Sequence, residues 1–510
     1  MNMSQFTNTL PTTARIAVIG SGTMGAGIAQ VAAAAGHTVQ LFDNRPAAVD
    51  RAITEIAGMF DKLAAKGKMT AQAASDASAR LQPASRLEDL AGAALVVEAI
   101  VENLDVKRAL FSQLEGIVDD DCILASNTSS ISITSIGAAL RLPQRLVGMH
   151  FFNPVPLMAL VEIISGLATD ATLAQRLADT ASAWGKNPVH TKSTPGFIVN
   201  RVARPYYAEA LRLLNEQAAT PATIDAVLRE AGGFRMGPFE LMDLIGHDVN
   251  FAVTQSVFQA YFTDPRFTPS LIQQELVNAG FLGRKSGRGF YRYDGSASVP
   301  DADAEAARPA AREQAQLFGD HALVRTLAER TGLAPQTASE DGLLAQVGEA
   351  RLYLTDGRSA TRRAQDDGQR DIVLVDLALD YGSARRLAVA RADQCSDSAF
   401  DAIVALLQQA AYVVTRIDDI PGLAVMRTVA MLANEAADTV HQGVCSLADV
   451  DMAMQKGVNY PRGPLAWADA IGVATVATVL THLSTTYGED RYRVSPLIQR
   501  LTASGRNFHG

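Results

Sequence analysis

His150 lies in the run GMHFFNPVP (148–156), between apolar residues and a Pro-Val-Pro turn. A histidine so placed is often a hydrogen-bonded core residue, so the question is what converges on it. The flanking runs RLVGMHFFN and MALVEIISG (Met158–Gly166) both read as strands, because Pro154 and Pro156 cannot continue a ladder and suit a turn. Paired antiparallel about Pro156, residues equidistant from it face one another, and Glu162 falls opposite His150. A carboxylate on one ring nitrogen fixes the tautomer, favours the imidazolium and leaves the other nitrogen to take a proton. That arrangement suits alcohol oxidation: the base removes the hydroxyl proton while hydride leaves carbon. Phe151 and Phe152 would keep the site dry. The reacting oxygen gains negative character and needs donors, for which Ser129, Asn153 and Asn200 are available. Asn153 reads equally as a turn residue, and Asn200 as an interdomain hydrogen bond.

A hydride acceptor is implied by RIAVIGSGTMGAGIAQVAAAAGHTVQLFDN (Arg15–Asn44). A β-branched run leads into Gly20-Ser21-Gly22-Thr23-Met24-Gly25, an alanine-rich helix follows, and a second strand ends at Asp43. Gly20 permits the tight turn, Gly22 lets the backbone approach a pyrophosphate, and Gly25 lets helix and strand pack. The free N–H groups at the helix start, from Thr23 and Met24 onward, complement that phosphate. Asp43 would accept from ribose hydroxyls and repel a 2′-phosphate, which favours NAD over NADP; Arg45 is a mild counter-signal. ALVVEAI (Ala94–Ile100) and CILASNTS (Cys122–Ser129) read as further parallel strands. Glu98, Glu102, Lys107, Asn127 and Ser129 end or follow them, where ligands of such sheets sit. Lys107 reads equally as a solvated helix charge, and Glu98 as a buried carboxylate.

These elements need a chain that folds as several domains, and 510 residues is enough for three or four. With 48% hydrophobic and 19% charged residues the composition is that of an ordinary globular protein. The net charge of −9 argues against nucleic acid or an anionic membrane as the main partner. Cys122, Cys395 and Cys445 are far apart and form no CxxC, so neither a disulfide framework nor a metal site is expected. The N-terminus lacks the build of a signal peptide, and Ile16–Gly36, though long enough to span a bilayer, is interrupted by Ser21, Thr23 and Gln30. A cytoplasmic location is expected.

IGSGTMGAGIA, SNTSS, HFFNPVP…LVE, TPGFIVNR, MGPFELMDLIG and GRKSGRGFY occur in this order over residues 15–292 and closely resemble the (S)-3-hydroxyacyl-CoA dehydrogenase family. The resemblance implies an NAD-dependent enzyme acting on an acyl-CoA, with His150 as general acid/base and Glu162 as its partner. It places Ser129 and Asn200 at the substrate or reacting centre, and Glu102 and Lys107 on the cofactor side. The expected fold is an α/β Rossmann-type NAD-binding domain followed by duplicated all-α C-terminal domains.

The duplication is legible as one offset. Pro195-Gly196 recurs as Pro421-Gly422, Gly237-Pro238 as Gly463-Pro464 and Leu271-Ile272-Gln273 as Leu497-Ile498-Gln499, each 226 residues on. At that offset His150 falls on Asp376 and Asn200 on Met426, and no second GxGxxG appears, so the copy keeps shape and loses chemistry. The expected domains are 1–193 (NAD-binding), 194–295 (first helical copy), 296–419 and 420–510 (second helical copy). Within the third, 296–345 reads as linker plus helices and 346–419 as a remnant of a nucleotide-binding half. In single-copy relatives the helical domain is the dimer contact, so the second copy is expected to pack within the chain in a partner's place.

For the CoA phosphates, Lys62, Lys66 and Lys68 are available, although a solvated helix face is the favoured reading of all three. The two-copy length is similar to that of bacterial members acting on 3-hydroxyadipyl-CoA in phenylacetate breakdown, with 3-hydroxybutyryl-CoA as the alternative substrate. A dicarboxylic chain needs a distal cation, for which Arg201, Arg204 and Arg235 are available. Two rival readings are an NADP-dependent β-hydroxyacid dehydrogenase, against which Asp43 speaks, and a non-enzymatic relative, against which the intact His150, Glu162, Ser129 and Asn200 speak.

Overall fold

The computed structural model describes residues 8–293, 295, 300–309, 314–339 and 341–510. It divides into two compact units, Met1–Arg201 with Gln442–Val458, and Val202–His441 with Asn459–Gly510.

The first unit is built on an eight-stranded sheet. Its strands are β1 (Ile16–Ile19), β2 (Val39–Phe42), β3 (Leu81–Pro83), β4 (Leu95–Glu98), β5 (Ile123–Ser126), β6 (Leu146–Phe151), β7 (Leu160–Ser165) and β8 (Asn187–Lys192), in the order β3-β2-β1-β4-β5-β6-β7-β8. All neighbours are parallel except β6 and β7. The central strands are apolar on both faces because helices cover both: Ile16 and Val18 join one core cluster, Ala17 and Ile19 the other. The order reverses between β1 and β4, and the crevice beyond their carboxyl ends is where such sheets take ligands. The helix Leu447–Gly457 packs on β7 and β8, and Lys192 N–H donates to Val444 O at 2.9 Å.

The second unit holds a seven-stranded sheet ordered β10-β9-β11-β12-β13-β14-β15. The strands are β9 (Ala315–Phe318), β10 (Pro335–Gln336), β11 (Leu343–Val347), β12 (Ala350–Leu354), β13 (Ile372–Val375), β14 (Arg386–Arg391) and β15 (Val413–Arg416). The 226-residue offset reaches further back than the motifs alone indicate. It carries β7 onto β14 and the helix Ala171–Ala183 onto Asp397–Gln409 at both ends. β12–β15 also repeat the strand directions of β5–β8: parallel, antiparallel, parallel. Among the described residues nothing repeats β1, β2 and β4; β11 instead runs antiparallel to both its neighbours. Among the described residues the second half has no counterpart of the nucleotide-binding βαβ.

Two expectations change. Residues 296–345, read as linker plus helices, hold one helix, Ala322–Thr331, among the described residues, and also contribute β9, β10 and the first residues of β11 to this sheet. Strands of two to five residues among Ala, Asp and Glu are too short to show a period. Residues 442–458, read as part of the last helical domain, belong instead to the compact unit of the first sheet. The exchange is reciprocal: the helix Pro221–Glu230, which the offset carries onto Leu447–Gly457, packs on β14. Asp418 N–H donates to Ala218 O at 2.9 Å, the counterpart of Lys192 to Val444. In the second unit the helices Arg204–Asn215 and Val425–His441 pack together, and the fully buried Arg427 joins Glu209 at 2.7 Å and Glu216 at 2.9 Å. Both partners bear on that guanidinium, so it stays charged despite burial, its pKa well above the usual value.

Candidate active site

The antiparallel pairing of β6 and β7 sets His150 directly opposite Glu162. Nδ1 of His150 lies 2.7 Å from Oε2 of Glu162, and both side chains are buried. The other carboxylate oxygen, Oε1, accepts the N–H groups of Ile198 at 3.0 Å and Val199 at 2.9 Å. Glu162 is thus held from two sides, and its hydrogen bond commits Nδ1 to carry a proton. Nε2 has no partner among the described residues. Phe152 and Phe197 flank the imidazole, with ring centroids at 4.5 and 6.1 Å. A base with one anchored nitrogen, one free nitrogen and an apolar wall can take a proton from a hydroxyl.

A second cluster follows β4 and β5. Glu102 Oε1 accepts from Thr128 Oγ1 at 2.6 Å, from Ser129 N–H at 2.9 Å and from Ser130 N–H at 3.1 Å, with Ser129 Oγ at 3.3 Å. Burial pushes this carboxyl up, but the hydrogen bond from Thr128 and the Lys107 ammonium outweigh it and hold its pKa below the usual value. Lys107 is buried; its Nζ bridges Glu98 Oε1 at 2.5 Å and Glu102 Oε2 at 3.3 Å. Glu98 also accepts from Ser126 Oγ at 2.7 Å and Ile100 N–H at 2.7 Å. In this structure Glu102 and Lys107 shape the Ser129 turn. Asn200 Nδ2 donates to Ser129 O at 3.4 Å, so hydroxyl and amide share one side of the site. Asn127 Oδ1 accepts Phe151 N–H at 2.9 Å, tying this turn to the strand that carries His150.

Asn153 stands apart from these groups: it is exposed, joined to Pro154 by a cis peptide, and its side chain has no hydrogen-bond partner among the described residues. One positioning residue has no signal in the sequence. Lys186 is buried, and its Nζ donates to Val155 O at 2.5 Å and Met158 O at 2.8 Å, pinning the turn after His150. Burial lowers its pKa, and among the described residues no carboxylate pairs with it.

The glycine loop fits a dinucleotide. Gly20 has φ +101°, and a Cβ there would sit 2.4 Å from Ala99 O; at Gly25 one would sit 1.8 Å from Gly20 O. At Gly22 a Cβ would meet nothing within 4 Å, so the backbone faces open space. Gly22 caps the helix Thr23–Ala34 with no side-chain hydrogen bond and no acid in the first turn, leaving the Thr23 and Met24 end open to an anion. Asp43 accepts from Ser21 N–H and Oγ, both at 2.9 Å, and from Arg45 N–H at 3.1 Å. Partial burial raises its pKa, but these donors prevail and keep it low, so a fixed anion waits at the ribose end. Gly27 of the same helix lies against Val155, where a Cβ would come within 2.8 Å, so the cofactor helix packs against the turn that follows His150. Lys62, Lys66 and Lys68 are exposed, without ion-pair partners among the described residues. Of the three arginines, Arg201 is buried and donates to Gln442 at 2.9 Å, Arg235 is exposed, and Arg204 is buried.

The chain is similar to known proteins in sequence and in fold. Residues 15–194 match the family model for the 3-hydroxyacyl-CoA dehydrogenase NAD binding domain. Residues 196–293 and 422–508 each match the C-terminal domain model, and 352–421 match the 3-hydroxybutyryl-CoA dehydrogenase reduced Rossmann-fold domain. The chain is 45% identical to 3-hydroxyadipyl-CoA dehydrogenase of Escherichia coli K12 over 95% of its length and 96% of the relative's. It is 42% identical to the mitochondrial hydroxyacyl-coenzyme A dehydrogenase of Sus scrofa over 54% of its length and 90% of that protein's. A solved structure of 3-hydroxybutyryl-CoA dehydrogenase from E. coli K12 superposes with a TM-score of 0.89 at 43% identity, covering 97% of this chain and 100% of that one.

Proposed function

Because the chain belongs to the 3-hydroxyacyl-CoA dehydrogenase family, we propose that it oxidises (S)-3-hydroxyadipyl-CoA to the 3-oxoacyl-CoA with NAD. The observation that carries the chemistry is the His150–Glu162 pair at 2.7 Å, with Nε2 left free. Nε2 takes the proton of the substrate's 3-hydroxyl, and Glu162 stabilises the imidazolium that forms. Ser129 and Asn200 donate to the oxygen as its proton leaves. Asp43 and the backbone from Gly20 to Gly25 hold the dinucleotide. Bound there, NAD would supply the hydride acceptor that the oxidation needs. Asp43 favours NAD over NADP because its anion meets ribose hydroxyls better than a 2′-phosphate.

The dicarboxylic substrate is the finer part of this reading. It is supported by the relative named for 3-hydroxyadipyl-CoA, which spans nearly the whole chain. The solved structure named for the butyryl substrate makes that the alternative. Initial rates with NAD across acyl chains of varied length, with and without a terminal carboxylate, decide between them. We expect kcat/KM at least about 10-fold higher for 3-hydroxyadipyl-CoA than for 3-hydroxybutyryl-CoA, a difference of about 1.4 kcal/mol. Equal values would remove the adipyl assignment and leave the family activity.

The second helical copy takes the place that a partner subunit fills in single-copy relatives. The reciprocal packing of Leu447–Gly457 on β7 and β8, and of Pro221–Glu230 on β14, supports this. Deleting residues 296–510 bares the surface of β7 and β8 that Leu447–Gly457 covers. Size-exclusion chromatography should therefore find the remainder dimeric or aggregated, whereas an active monomer would contradict the proposal.

A further inference from the structure

Arg204 is 5% exposed, and among the described residues only its Nη1 has a hydrogen-bond partner, Thr254 Oγ1 at 3.1 Å. Its Nε is buried with no partner, and among the described residues no carboxylate lies within salt-bridge distance. Tyr207 lies under the guanidinium, 4.9 Å from ring centroid to Cζ. An enclosed cation without a counter-charge is costly to keep, and burial alone already lowers its pKa. It lines a cavity of about 260 Å³ within the second unit, whose other walls include Leu211, Phe267 and Pro269. The other cations of this cavity are engaged: Arg212 and Arg491 by Glu489, and Arg266 by Glu435 and Asp438.

The fold does not require this charge. At the 226-residue offset Arg204 and Thr254 fall on Ala430 and Leu480, both fully buried and both apolar. The cation and its hydroxyl partner occur only in the copy that also keeps Asn200. We propose that this cavity binds a carboxylate borne on a short apolar chain, with Arg204 as the group that pairs with it. A free aliphatic dicarboxylate acting as an effector fits that chemistry.

The test compares wild type with Arg204→Met and with the double variant Arg204→Ala, Thr254→Leu, which installs the pair the second copy already accommodates. Removing an unpaired buried cation should leave the melting temperature equal or higher. Millimolar adipate should raise the melting temperature of wild type but of neither variant. Variants that respond to adipate as wild type does overturn the proposal, as does a wild type whose melting temperature adipate leaves unchanged.

Discussion

His150→Gln should lower kcat by about 10²- to 10⁴-fold, the span a positioned general base contributes, while the protein still binds NADH with unchanged Kd. Glutamine fills a similar space and can still donate to Glu162 Oε2, so the anchored carboxylate and its bonds to Ile198 and Val199 survive. What is lost is a second nitrogen able to take a proton. Cofactor affinity should hold because the glycine loop and Asp43 sit at the ends of β1 and β2, while the base lies on β6. Fluorescence titration with NADH separates the two effects. Turnover within a few-fold of wild type would mean that another group takes the proton.

The second large effect is on stability. Asp376, which the offset pairs with His150, is fully buried in the second unit. Its Oδ2 accepts Ala424 N–H at 2.9 Å and Val425 N–H at 2.7 Å; its Oδ1 accepts Met426 N–H at 2.9 Å and Leu377 N–H at 2.8 Å. Ala424 and Val425 correspond to Ile198 and Val199, and Glu162 corresponds to Ala388. The copy has therefore moved the carboxylate from one strand to the other. The anchor on the turn survives; the base and its tautomer control do not.

Asp376→Ala strands four buried N–H groups and should destabilise the second unit by about 3–5 kcal/mol, each orphaned donor costing about 1–3 kcal/mol before local rearrangement. Burial pushes the Asp376 carboxyl up to about 6, against the pull of the N–H donors, from an ordinary 3.8. With the folded value raised, the stabilisation from this titration is complete below about 4 and lost as pH rises through about 6. Thermal melts should accordingly show a larger gap between wild type and Asp376→Ala at pH 4.5 than at pH 7.5. A variant that melts with wild type at both pH values would show that the turn needs no anchor.

The sequence makes the first site legible where short-range rules apply. The glycine loop is a local motif, and the facing of His150 and Glu162 follows from strand period and a Pro-Val-Pro turn. Lys107 carries a charge that sequence alone leaves open to solvent; in the fold it is enclosed between Glu98 and Glu102, because depth depends on what covers a helix. Lys186 grips carbonyls of Val155 and Met158, and backbone acceptors leave no residue-type signal. The helix exchange escapes because Leu447–Gly457 has the same pattern whichever sheet it covers. Arg204 differs in kind, since its meaning lies in the carboxylates that are absent around it.

In the proposed reaction hydride leaves C3 of the substrate as His150 takes the hydroxyl proton. The most direct measurement uses (S)-3-hydroxyadipyl-CoA carrying deuterium at C3, incubated with NAD and the purified chain, with products read by mass spectrometry. One deuterium in the reduced cofactor for each 3-oxoacyl-CoA formed is the predicted result. Reduced cofactor without the label, or deuterium retained at C3 with no reduced cofactor formed, would contradict it.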